Sequence, residues 1–156
     1  MFNAQENPVK ADQVFTGKDG KLWIYDKDGV AVWLFSVSEF HIAIAWQTVE
    51  QQFVANFVPT TITTGAKPTL SFNEAIVEDN ATIKRIMEGI KEGRVPVYDF
   101  EGVITIDDDR EERVVCRQCV PTGTTNLLDV TPGAIVQRTF EFGLNELPDF
   151  VKYINV

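Results

Sequence analysis

Residues 39–53 read EFHIAIAWQTVEQQF, and their alternation decides how the chain folds. Phe40, Ile42, Ile44 and Trp46 alternate with His41, Ala43, Ala45 and Gln47. A period of two marks a β-strand with two unlike faces. The apolar face reads as core. The second face is unusual, because a half-buried strand ordinarily shows Lys, Glu, Arg and Thr to water, whereas this one shows Ala, Ala and Gln. Residues 69–77 repeat the pattern, with Leu70, Phe72 and Ile76 on one side and Thr69, Ser71, Asn73 and Ala75 on the other.

The neighbouring segments supply the rest of a β-rich domain. Upstream, Asp19-Gly20 and Asp28-Gly29 flank a strand over 22–25. Asp-Gly accepts positive φ and is a strong short-hairpin signal. Downstream, VEQQFVANFVPTTITTGAKP has no clean period and is broken by Pro59, Gly65 and Pro68, so 47–68 reads as a long loop. One helix is predicted at about 79–92: Ile83, Ile86, Met87 and Ile90 form an apolar stripe, and Lys84, Arg85, Glu88 and Lys91 face solvent. Asp79 or Asn80 can cap its start and Gly93 its end. VPVYDFEGVITID and REERVVCRQCV then form a hairpin around Asp107-Asp108-Asp109, and AIVQRTFEFGL is the last strand. This order predicts an α+β, β-rich fold: two packed antiparallel sheets, sandwich- or barrel-like, with one flanking helix. A single domain over 1–156 is expected, with 1–14 a flexible arm.

Composition narrows the function classes. With 156 residues, 44% hydrophobic content and eleven Phe, the chain can build a real core. Its net charge of −9 argues against direct binding to a phosphate backbone. No apolar run reaches the roughly 18 residues of a membrane span. MFNAQENPVKADQVF lacks the regions of a signal peptide, so synthesis in the cytoplasm of the host is expected. Cys116 and Cys119 form a CxxC on a strand, where positions three apart point to opposite faces. Together with the single histidine, His41, this disfavours a redox pair and leaves no four-ligand zinc set. The same lone histidine makes a Ser-His-Asp arrangement improbable, and no P-loop or GxGxxG occurs. The chain reads as non-enzymatic, with no catalytic, cofactor-binding or metal-binding residues.

The succession of features resembles the tail tube (inner tube) protein of contractile phage tails, defective prophages and phage-tail-like bacteriocins. The resemblance is carried by TGKDGKLWIYDKDGV, the strand and loop of 36–68, DNATIKRIMEGIKEG, REERVVCRQCV and LLDVTPGAIVQRTFEFGLNELPDF, and covers roughly residues 15–150. It implies a hexameric ring whose inner strands join into one β-barrel, with rings stacked into a hollow tube of a virion or tail-like particle. It also implies sheath, baseplate and tape-measure partners, DNA passing without specific binding, and no cofactor. On this reading Glu39, His41, Ala43, Ala45, Gln47, Ser71 and Asn73 face the lumen, with Glu39, Glu50 and Glu74 as its acidic candidates. Gln51, Gln52, Phe53, Phe57 and Val58 form a loop that reaches the next ring. The alternative is a monomeric β-sandwich that binds a ligand or peptide, with the Ala/Gln face covered by the helix and the Phe-rich loop folded back.

Overall fold

In the computed structural model the described residues are 20–25, 29–76, 81–94, 96–107 and 110–152. The expected N-terminal arm, Asp19, Asp28, the helix caps Asp79 and Asn80, and Asp108 and Asp109 lie outside them. The elements are β1 (Gly20–Tyr25), β2 (Ala31–Trp33), β3 (Val37–Gln51), β4 (Thr60–Ala75), α1 (Ala81–Lys91), β5 (Tyr98–Asp107), β6 (Arg110–Pro121), β7 (Gln137–Leu144) and β8 (Asp149–Lys152).

The fold is β-rich α+β, and its two layers belong to one hydrogen-bonded sheet rather than two. The order is β2-β1-β5-β6-β7-β4-β3, antiparallel throughout, with β8 beside β6. β6 joins the layers: it pairs with β5 through Cys119 and with β7 from Cys119 to Pro121. At that junction Gln118 takes φ 57°, and one extra residue enters the ladder between the Phe100–Cys116 and Tyr98–Cys119 pairs. Such a bulge bends and twists the strand. Its displaced peptide groups are satisfied locally. Gln118 N–H donates to the Asp99 carboxylate (3.1 Å), and Asn145 N–H donates to the Gln118 carbonyl (3.2 Å).

The bend folds β1 and β5 over β7, β4 and β3. Phe72 on β4 sits 5.6 Å from Phe100 on β5, 5.1 Å from Phe140 and 6.0 Å from Phe142, ring centre to ring centre. Leu22, Ile24, Leu70 and Leu144 complete this core. Gly102 marks the closest approach of the layers: a Cβ there would meet Ile42 Cδ1 at 3.0 Å and Phe40 Cε2 at 3.1 Å. On the far face of β5, Glu101 is buried yet accepts hydrogen bonds from the Tyr25 hydroxyl and the Arg113 guanidinium. That pairing lets a carboxylate sit inside the sheet.

Several expectations change at this level. The bulge at Gln118 inverts the alternation of β6, so Cys116 and Cys119 both point into the core, not to opposite faces. Burial pushes the Cys116 thiol up to about 11, and burial also raises Cys119. The helix closes at Gly93 as expected, with φ 72° and the bonds Gly93 N–H to Ile90 O and Arg94 N–H to Gly89 O of a Schellman motif. Its inward face is rotated: Thr82, Ile86 and Gly89 are buried, Ile83 packs on the core, and Ile90 is exposed. The expected loop 47–68 is mostly strand, because β3 runs to Gln51 and β4 starts at Thr60.

Candidate functional site

β3 and β4 form a hairpin whose strands, 15 and 16 residues, are the longest among the described residues. β4 has 16 residues, where a strand of about 5–6 is usual. Its register brings the two small-residue faces together in rows: Glu39 opposite Asn73, His41 opposite Ser71, Ala43 opposite Thr69, Ala45 opposite Lys67, and Gln47 opposite Gly65. β7 extends three of these rows with Thr139, Glu141 and Gly143. Thus Glu39, His41, Ala43, Ala45, Gln47, Ser71 and Asn73 do share one outer face of the sheet. The helix does not cover it, since Glu39, His41, Ala43, Ala45 and Gln47 are all exposed.

Hydrogen bonds link side chains across this face. Thr139 Oγ1 donates to Asn73 Oδ1 (2.7 Å), and Asn73 Nδ2 donates to the Glu39 carboxylate. Lys67 Nζ donates to the Leu144 carbonyl at 3.2 Å. Its charged groups among the described residues are the Glu39 and Glu141 carboxylates against the Lys67 ammonium. Glu141, Thr139 and Lys67 were not among the expected face residues. The alternation of QRTFEFG, residues 137–143, with Phe140 and Phe142 inward, carries the signal that finds the first two. Two acidic candidates fall elsewhere. Glu74 shares the parity of Phe72, is buried, and accepts a bond from Ser36 Oγ (3.0 Å). Glu50 lies an odd number of residues from Glu39 and so projects from the other side of β3.

Beyond Ile42 the hairpin leaves the body, and the expected core face divides. Phe40 and Ile42 pack on the core, but Ile44 and Trp46 do not, with Trp46 66% exposed. A bulge at Thr64, whose hydroxyl donates to the Gln47 carbonyl (3.1 Å), shifts the register, and Val49 then lies opposite Ile62, both exposed. The tip, 52–59, contains Gln52, Phe53, Phe57 and Val58, with Gln51 ending β3. Phe57 is fully exposed and Val54 is 99% exposed. The tip is nonetheless ordered into a turn: Asn56 N–H donates to Phe53 O (3.2 Å), Gln52 Nε2 donates to Asn56 O, and Ala55 takes φ 71°. β3 is also the last strand of the sheet order, and residues 40–49 hold no acidic or basic residue besides His41. A long uncharged edge of this kind is a template for another strand.

The β3–β4 ribbon thus has an outer face of small residues, an apolar tip and, among the described residues, no strand paired with the outer edge of β3. The chain has a tail-tube-like fold. No family model and no curated protein matches its sequence. Among solved structures it is similar to the SPP1 tail tube (12% identity, TM-score 0.67, covering 88% of this chain and 80% of that one). It is also similar to a chain of the PVC sheath–tube complex of an extracellular contractile injection system in the extended state (12%, 0.63, 92% and 100%). A third similarity is to a chain in the tail of an empty gene transfer agent particle, determined by helical refinement with C6 symmetry (12%, 0.60, 89% and 100%).

Proposed function

We propose that this chain is the structural subunit of a phage-type tail tube, six copies to a ring and rings stacked into a hollow tube. The observation that carries the proposal is the distal half of the β3–β4 hairpin. An isolated two-stranded ribbon is marginal in water. This one also exposes Ile44, Trp46, Val49 and Ile62, and no strand among the described residues pairs with the outer edge of β3. Partner copies remove all of these liabilities at once. Pairing of the β3 edge with a neighbouring sheet closes a ring through head-to-tail contacts. The six-fold symmetry of the gene transfer agent tail supports that number of copies.

In the ring the rows from Glu39–Asn73–Thr139 to Gln47–Gly65 line the lumen. Small side chains give moving cargo little to grip, and the two carboxylates to one ammonium on the described face do not attract phosphate. Gln51, Gln52, Phe53, Phe57 and Val58 reach the neighbouring ring. Sheath, baseplate and tape-measure proteins are the partners this role calls for, and DNA passes without specific binding. The particle is the site of action, after synthesis in the host cytoplasm.

The test is negative-stain microscopy with light scattering on the purified chain over a range of concentrations. Rings or tubes with six-fold end views are expected. A monomer at every concentration, under conditions where circular dichroism reports a folded β-rich protein, overturns the proposal and favours a monomeric binding module.

A further inference from the structure

Among the exposed apolar residues, two patches lie at opposite ends of the long strands. One is the hairpin tip, with Phe53, Val54, Phe57 and Val58. Another is the loop between β6 and β7, where Leu127, Leu128, Val130 and Ile135 are exposed, Ile135 at 78%. Hydrogen bonds fix where this loop sits. Ile76 N–H donates to the Val136 carbonyl (2.9 Å), and Arg138 Nε donates to the Leu127 carbonyl (2.9 Å). Arg138 and Gln137 pair with Glu74 and Ala75, the last residues of β4, whereas the tip begins beyond the Gln51–Thr60 pair at its first. The 16 residues of β4 at about 3.3 Å each separate the two patches by about 50 Å.

The patches also match in chemistry. Residues 51–66 contain no charged residue, and residues 118–137 contain only Asp129, in a chain that is 24% charged. Two apolar, nearly uncharged surfaces at opposite ends of one molecule cannot meet within that molecule. Between copies they meet head to tail, and a contact of that kind along the strand direction propagates without closing.

Resting on the assembly reading above, we propose that the β6–β7 loop is the acceptor for the hairpin tip. The tip of one copy seats Phe57 and Val54 against Leu128 and Ile135 of a second copy in the next layer. The loop is built as a socket wall. Its turn at 131–134 is closed by Ala134 N–H to Thr131 O (3.2 Å) with Gly133 at φ 81°, and its two ends are pinned to the body. The apolar side chains are thereby presented outward on a fixed frame.

The experiment uses two charge variants, Phe57→Asp at the tip and Ile135→Asp at the loop, with circular dichroism and thermal melting to verify that both fold as the parent. Each alone is expected to raise the concentration needed for tube formation at least about tenfold, the equivalent of about 1.4 kcal/mol per junction. Each variant retains the half-site that the other lacks. When single layers of each variant are assembled separately and then mixed in equal amounts, they are therefore expected to form two-layer particles and stop there, seen in sedimentation velocity as one species twice the mass of the single layer. If Ile135→Asp forms tubes like the parent, the tip docks elsewhere and the acceptor assignment is wrong while assembly stands. If both variants fail and the mixture shows no two-layer species, the tip–loop pairing is likewise overturned. If the parent chain itself never assembles, the assembly reading falls and this pairing with it.

Discussion

A glutamine at φ 57° in mid-strand costs about 1–2 kcal/mol relative to an ordinary strand residue, and Gln118 holds that conformation where the sheet turns from one layer to the other. Asp99 and Asn145 bond its peptide groups there, so the strain is sustained by structure around it. Gln118→Gly is expected to leave the melting temperature unchanged or raise it. Gln118→Val, branched at Cβ, is expected to lower stability by about 1–2 kcal/mol in urea titration. The same bulge determines cysteine chemistry. Both thiols are in the core with raised pKa, so a thiol-specific reagent at pH 8 is expected to modify neither until denaturant is added. The sign of the pH effect follows from the direction of the shift. Folding favours the protonated thiol, so Cys116 contributes stability that is fully present below its ordinary value of 9.0 and lost as pH rises through about 11. Melting temperature is expected to fall over that window, and less steeply in the Cys116→Ala/Cys119→Ala double variant.

At the scale of the element, the hairpin is two structures in one ladder. Its proximal half is core, and Phe72, touching Phe100, Phe140 and Phe142, holds the layers together. Phe72→Ala is expected to cost about 3–5 kcal/mol, a large part of a domain's whole stability. Its distal half contributes nothing to that core. Thr48 and Thr63 face each other directly across the ladder, so replacing Val49–Ile62 with Asn-Gly closes the shortened ribbon with a favoured turn. The shortened chain is expected to melt within a few degrees of the parent, by circular dichroism, and to form no tubes by microscopy. Tubes of normal length from this variant would place the stacking contact elsewhere. Alternation alone made the outer face of β3 legible, because Glu39 to Gln47 keep strict parity. It also carried Phe40 and Ile42 correctly into the core. The same periodicity could not locate the end of the body, so Ile44 and Trp46 read as core although both are exposed and neither packs on the core cluster of the described residues. Residues 47–68 read as loop because Pro, Gly and Thr outweighed their pairing. That pairing is non-local, each strand residue being fixed by a partner 9 to 24 positions away, from Gln51–Thr60 to Ile44–Pro68. The bulges at Gln118 and Thr64 each insert one residue; no glycine announces the first, and Gly65 beside the second reads as a chain break rather than a bulge.

For the whole molecule, charge and apolar surface have been separated. The net charge of −9 is carried largely outside the two patches proposed to meet between layers. Copies therefore repel over long range while their contact surfaces attract at short range. At about 0.01 M salt the screening length is about 30 Å, comparable to the size of the subunit, and repulsion between neighbours is nearly unattenuated. At about 0.1 M it drops to about 10 Å, and the apolar junctions act with little opposition. The concentration needed for tube formation is accordingly expected to fall as sodium chloride rises through this range and to level off above it. Sulfate at equal ionic strength is expected to lower it further by strengthening apolar burial. Pelleting assays across the salt series measure both effects. Tubes that dissolve as salt is added would mean that ion pairs, rather than Phe57, Val54 and their acceptor, hold the layers together. DNA provides the complementary measurement. It shares the sign of the protein's charge, and fluorescently labelled duplex is expected to remain in the supernatant when tubes are pelleted at about 0.1 M salt. Retention of the duplex would require more cation on the outer sheet face than Lys67 carries, and the rows of Ala, Thr, Ser and Gln around that residue supply none.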